Sequence, residues 1–399
     1  MKDEYDVIVV GAGPAGCLAA RNAAAQCDVL LVEKRQAIGE PTRCAEGVPL
    51  WQSPLFPKSL SDYVQPNPKW IASEVRQIRA TSPDGTTVEV SGDTFGVDGP
   101  LGLVIERKLF DRQLAKEAAR VGVDITVRTR ARGLIIDEDM VRGVRVNRLG
   151  DDFELRAKVV IAADGVESQV GRWSGINTTL KLNDIASCAQ YYAENVDVAE
   201  KTVDIYYGSH IGGGYAWVFP KGGKAANVGL AVPGSKLSAK RPIDYLNELM
   251  ATYFPGAQPI GLVLGGTPIS DALHTIVRNG LMLVGDAAHH TDPLTGGGIV
   301  PALESGSIAG NVARKAVHTN DPSAKVLREY EGEWNSSFGA TRKFTYNIKE
   351  LAASLSDGEI NRVIRVFKGI QPKELNLKGI TMRFLKEDPR LLLKVRRIF

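Results

Sequence analysis

The chain has 399 residues, of which 44% are hydrophobic and 24% charged, with 41 glycines and a net charge of +3. That is ample apolar mass for a large buried core in roughly two to three domains, and it excludes a disordered or fibrous chain. Four cysteines, Cys17, Cys27, Cys44 and Cys188, show no C-x-x-C pair and no Cys/His zinc spacing, so neither a disulfide scaffold nor a metal site is expected.

No signal peptide is read ahead of the first apolar strand, at 6–10. A glycine turn follows, then a helix over about 14–25, where Pro14 suits a first turn because its missing N–H is not needed there. A buried strand at 29–32 completes a parallel βαβ opening. Residues from about 71 to 91 read as short antiparallel strands turning at Pro83-Asp84-Gly85. Next come a helix over 108–121, a strand at 123–127, a hairpin pairing 141–146 with 153–155, and an apolar parallel strand at 159–162. From about 186 to 266 the strands lengthen and turn aromatic, with glycine turns at Gly212-Gly213-Gly214 and Gly222-Gly223. This reads as an inserted domain built around an antiparallel sheet. The parallel pattern resumes at 281–284, before a helix over 299–318. Beyond it the chain reads as helical to its end. Phe344, Ile348, Leu351 and Leu355 recur at helical spacing, with breaks at Asp357-Gly358 and Pro389. No apolar run approaches the ~20 residues that cross a bilayer.

Gly11-Ala12-Gly13-Pro14-Ala15-Gly16 lies between the first strand and first helix. Gly11 permits the tight turn, Gly13 lets backbone approach a pyrophosphate, and Gly16 lets helix and strand pack closely. The exposed N–H groups and the helix dipole attract phosphates. Glu33 ends the second strand and can accept hydrogen bonds from a ribose. This motif does not separate FAD from NAD. A downstream element does: Gly285-Asp286-Ala287-Ala288 follows the strand at 281–284 and can hold the hydroxyls of a ribityl chain. Pro293, Gly296, Gly297, Gly298 and Ile299 then form a turn into a helix, whose dipole favours an anionic reduced flavin by about 1 kcal/mol. Asp164-Gly165 ends the strand at 159–162.

In this order the three elements resemble the flavoprotein family typified by para-hydroxybenzoate hydroxylase. The resemblance implies FAD. It places Arg107, at a helix start, near the flavin, and adds Ala15, Lys34 and Ala131 to the cofactor contacts. The fold class is α/β (α+β overall). A Rossmann-type FAD-binding domain (1–70, 98–172 and 270–320) would carry an inserted antiparallel-sheet substrate domain (71–97 and 173–269) and a helical C-terminal region (321–399).

Two further motifs, Arg43-Cys44-Ala45-Glu46-Gly47 and Gly214-Tyr215-Ala216-Trp217-Val218-Phe219-Pro220-Lys221-Gly222, look like those of the geranylgeranyl reductases. The likeness is greatest to the archaeal enzymes that saturate digeranylgeranylglycerophospholipids, and it runs to about residue 320. That family usually has Gly where this chain has Ala45. The resemblance implies an enzyme that reduces C=C bonds of a prenylated glycerophospholipid; so apolar a substrate, with no spanning run and a basic, apolar tail, gives the expectation of a cytoplasmic enzyme peripheral on the inner membrane face. The sequence does not name its electron donor, which would be NADPH or, since no second glycine fingerprint for NADPH is found, ferredoxin or a reduced deazaflavin. An unactivated alkene needs a proton on one carbon and a hydride on the other, in a dry apolar site. Cys44 is the candidate proton source or flavin-face group, and Arg43, Cys44, Ala45 and Gly47 are candidate cofactor contacts. Tyr215 and Trp217 share a strand face with Phe219, as sheet core or as the wall of a lipid channel. Cys17, Cys27 and Cys188 are read as core residues, and His289 and His290 are given no role.

Residues 361–399 hold eleven Lys/Arg and three Asp/Glu, a surplus of +8, while the rest of the chain sums to −5. The segment also carries Ile380, Phe384, Leu385, Leu391, Leu392, Val395, Ile398 and Phe399, which suits either a solvated helical face or an anionic membrane surface. No nucleic-acid partner is expected. A flavin monooxygenase or halogenase, and a non-catalytic prenyl-binding escort like the GDP-dissociation inhibitors, are the rival readings.

Overall fold

The computed structural model describes residues 2–53, 57–237, 240–371, 374, 377–388 and 394. Leu391, Leu392, Val395, Ile398 and Phe399 lie outside the described residues, as does the side chain of Ile380. The chain forms two compact units.

The first unit comprises Met1–Thr42, Arg107–Leu180 and Pro268–Lys343. Its sheet runs in the order Val277–Arg278, Leu281–Leu283, Asp151–Ala162, Glu4–Val10, Val29–Val32, Asp124–Thr126. The first pairing is antiparallel and the four that follow are parallel. Runs such as Val29–Val32 are buried throughout, as strands covered on both faces must be. The hairpin and the returning strand expected near 153–162 are one twelve-residue strand, Asp151–Ala162. Its first half pairs antiparallel with Met140–Arg148 and its second half parallel with Glu4–Val10. Helices Pro14–Ala23 and Ile299–His318 pack to backbone contact. A Cβ on Gly306 would lie 2.2 Å from the Ala15 carbonyl oxygen, and one on Gly310 2.4 Å from that of Ala19.

The second unit comprises Arg43–Glu106, Lys181–Thr267 and Phe344–Phe399. Its main sheet runs Gln258–Pro268, Ile185–Glu194, Ala225–Pro233, Tyr215–Gly222, Thr202–Tyr207, Gln77–Thr81, Thr87–Ser91. From Ile185–Glu194 to Thr87–Ser91 its pairings are antiparallel except that Thr202–Tyr207 runs parallel to Gln77–Thr81. One face carries Ala216, Val218, Val228 and Leu230 against Leu246, Leu249 and Met250 of the helix Pro242–Tyr253, an element not foreseen from sequence. A three-stranded sheet orders Gly47–Pro49, Gly102–Ile105, Ile71–Val75.

These units depart from the expected boundaries at both ends of the inserted domain. Residues 43–70 and 98–106 group with the second unit because they build or flank the three-stranded sheet. The C-terminal region does not stand alone. Tyr330 donates to the Leu283 carbonyl in the first unit, whereas Asp357 accepts from Ser209 in the second. Asp357-Gly358 begins a helix, Asp357–Val366, rather than ending one, because Ser356 and Glu359 form its capping box.

Candidate functional site

In the first unit, Gly11 has φ +107° and a Cβ there would lie 2.3 Å from the Ala163 carbonyl oxygen. Gly16 is packed against Gly11, yet a Cβ on Gly13 would meet no protein atom within 4 Å. Glu33 is buried and accepts from Ala12 N–H at 3.0 Å and Arg35 N–H at 2.8 Å, so it braces the glycine turn. Lys34, Arg35, Arg128, Arg130 and Arg132 line an 810 Å3 groove that flanks Ala131. The one acid in that groove, Glu40, is paired to Lys108 and Arg112.

Asp164 is occupied locally. It accepts from Ser168 Oγ and from the N–H groups of Gln169 and Val170, capping the helix Gln169–Trp173, while Gly165 turns the chain at φ +84°. Asp286 accepts from Thr291 Oγ1 at 2.6 Å, and burial pushes its carboxyl above the usual range. Gly298 backs onto that pair, with its Cβ position 2.9 Å from Thr291 Oγ1. Gly296 (φ +68°), Gly297 and Gly298 lead into the helix Ile299–His318; Pro293 and Ile299 are buried. Arg107 holds Asp111 in a bidentate pair that is largely buried rather than on the surface. His289 bonds Ser270, and buried His290 stacks on Trp334 at 3.7 Å; burial holds its pKa well below the usual value.

In the second unit, the alternation of Tyr215–Gly222 puts Tyr215, Trp217, Phe219 and Lys221 on the sheet face opposite the Ala216–Val218 core. Their apolar partner is therefore not that core. Tyr215 and Trp217 rings lie 5.7 Å apart, Trp217 and Phe219 6.2 Å. Two glycines seat them. Gly229, opposite Trp217, would place a Cβ 2.6 Å from the indole, and Gly47 would place one 2.7 Å from the Phe219 ring.

Buried polar groups link this floor to the Arg43–Gly47 segment. Trp217 Nε1 donates to Gln190 Oε1 at 2.8 Å, and Gln190 Nε2 donates to the Cys44 carbonyl at 3.1 Å. Asn227 Nδ2 donates to the Ala45 carbonyl and to Glu46 Oε2. Lys221 Nζ lies 2.8 Å from Glu46 and 2.7 Å from Glu106, and Tyr192 donates to both carboxylates. Burial and those carboxylates push the Tyr192 hydroxyl up, keeping it a donor. Glu46 N–H donates to Cys44 Sγ at 3.2 Å. The other thiols are raised by burial, Cys188 to about 12 and Cys27 to about 11. Cys17 is fully buried, as expected, while Cys27 and Cys188 are only half-buried.

A family model described as FAD dependent oxidoreductase matches residues 6–206, and one described as geranylgeranyl reductase catalytic domain matches 184–267. A digeranylgeranylglycerophospholipid reductase of Methanocella arvoryzae is 46% identical over 98% of both chains. A second such reductase, of Methanococcoides burtonii, is 43% identical over 100% of this chain and 97% of that one. The chain belongs to the digeranylgeranylglycerophospholipid reductase family. The crystal structure of a geranylgeranyl bacteriochlorophyll reductase-like protein from Thermoplasma acidophilum superposes with a TM-score of 0.90, at 34% identity over the whole of both chains.

As a member of this family the chain is an FAD-dependent oxidoreductase, and neither rival reading stands. The residues present fit the cofactor. The open space at Gly13, before a helix N-terminus without acidic residues in its first turn, suits phosphates, and the basic groove suits their charge. Among the described residues Thr291 is the donor to the Asp286 carboxyl, at one of its oxygens, which leaves that carboxyl able to accept from a ribityl hydroxyl. Gln190, Asn227, Tyr192 and Glu106 escaped the sequence reading. Gln190 and Asn227 interrupt apolar strands, and that was the available signal. Lys221 and Glu46 stood inside the quoted motifs.

Proposed function

We propose that this protein saturates C=C bonds in the geranylgeranyl chains of archaeal-type membrane lipids or their precursors. FAD, held by the glycine turn, Glu33, Asp286 and the 293–299 turn, supplies the hydride when bound in its reduced form. Cys44, Tyr215 and Trp217 attend the reacting bond. The aromatic row, facing away from the sheet core and tied through Gln190 to Cys44, is the observation that carries the reading. Its rings offer an apolar wall for the chain, and their faces stabilise positive charge on an alkene carbon. Cys44 holds the proton that the less substituted carbon takes up.

A twenty-carbon chain releases on the order of 15 kcal/mol on leaving water, so the enzyme collects it at a membrane. Among the described residues no helix is long and apolar enough to cross one. The helix Leu377–Glu387 exposes Met382 and Leu385, which suits peripheral docking on the inner face. Salt bridges from Arg362 to Asp388 and from Arg365 to Asp84 already use part of the positive surplus there. Electrons come from NADPH, ferredoxin or a reduced deazaflavin. The deciding experiment is anaerobic: reduce the bound flavin, add digeranylgeranylglycerophospholipid, and follow flavin reoxidation with product mass. A gain of two hydrogens per turnover is expected, and reoxidation without that gain would refute the proposal. Flotation with anionic vesicles, with and without residues 376–399, tests the docking.

A further inference from the structure

We propose that Glu46 and Lys221 are positioning residues that set the turn presenting the Cys44 thiol. The inference rests on the reading of Cys44 given above. The N–H that reaches Cys44 Sγ belongs to Glu46, and Glu46 itself closes the turn at φ +74°. Residues with a β-carbon seldom adopt that left-handed conformation unless their surroundings impose it.

Here the surroundings do so through the carboxylate. Glu46 Oε2 accepts from Lys221 Nζ, Asn227 Nδ2 and Tyr192 Oη, three donors on three strands of one sheet. Lys221 also reaches Glu106 and the Ile105 carbonyl, anchoring the turn to the neighbouring strand Gly102–Ile105. Lys221 and Glu46 side chains are 4% and 2% exposed. A buried ion pair stabilises a fold no better than apolar residues of the same volume would, whereas it admits few geometries. Its location around one cysteine-bearing turn points to that geometry as its purpose. The N–H bond also favours the thiolate over the thiol, so releasing the turn makes Cys44 less reactive toward alkylation at fixed pH.

The test uses FAD-loaded Glu46→Gln, the double variant Glu46→Gln/Lys221→Met, which removes both charges of that pair and leaves Glu106, and Tyr192→Phe, which removes one donor and spares the charges. The expected result is a kcat lowered about tenfold in the first two and about threefold in Tyr192→Phe, with KM for lipid within about twofold. Iodoacetamide labelling of Cys44, followed by peptide mass, should slow by about threefold or more in the first two. Folded, yellow variants with unchanged kcat and unchanged labelling would overturn the proposal, as would a loss confined to KM. Cys44→Ala keeps the two failures apart. If it reduces lipid at the normal rate, Cys44 is not catalytic, and labelling alone then decides whether Glu46 and Lys221 set the turn.

Discussion

Gly229→Ala is a one-carbon probe of the aromatic floor. The added Cβ would lie 2.6 Å from Trp217 Cζ2 and 2.9 Å from Gln190 Cβ, where ordinary contact begins at 3.4 Å. The indole must therefore move by roughly 1 Å, and its hydrogen bond to Gln190 constrains that movement. Overpacking costs about 1–3 kcal/mol and the weakened indole bond about 1. The stiffer unfolded chain returns about 0.5–1 kcal/mol. The net is about 2 kcal/mol of destabilisation, a fall in Tm of about 5 °C for a unit of this size. Displacement by that distance lowers the rate by up to about 100-fold if the indole lines the reacting position. Calorimetry and anaerobic lipid reduction read the two effects separately. Gly256→Ala, whose Cβ meets nothing within 4 Å, serves as the control and should change neither. A Gly229→Ala protein with normal Tm and normal kcat would refute the close-packed floor and its role together.

Cys44→Ala should retain FAD, read from its visible spectrum, and lose about 100-fold or more in alkene reduction if the thiol supplies the proton. Gly306→Ala drives a Cβ to 2.2 Å from the Ala15 carbonyl oxygen, where only backbone can move. A loss of about 2 kcal/mol in denaturant melts and weaker FAD retention are expected. Glu359 is held down to about 2 by Lys394 and then by the Ser356 N–H. A depressed acid contributes stability above its unfolded pKa, near 4.5, and that contribution is lost as pH falls toward 2. Melting temperature in that window should depend less steeply on pH in Glu359→Gln.

The nucleotide-binding unit was legible because its signals are local. The Gly11–Gly16 turn, the buried strands and Gly285-Asp286 each follow from backbone demands within a few residues. Arg107 was legible as a helix start but not as a largely buried partner of Asp111, because burial depends on what packs above it. Asp164 could not be seen to cap its own helix until the turn at Gly165 was in place.

Sequence alone determined the cofactor class, the parallel βαβ opening and the two motifs around Cys44 and Trp217. In each case the chemistry is written in short runs of contiguous residues, three of them in order for the cofactor class. The tertiary structure alone decided which face of the strand Tyr215–Gly222 meets the hydrophobic core, because period-2 alternation names two faces without ranking them. It alone joined Gln190, Asn227, Lys221 and Tyr192 to the turn at Cys44, across as many as 182 positions of sequence. Hydrogen-bond partners so far apart are chosen by strand order and register, which no local pattern encodes.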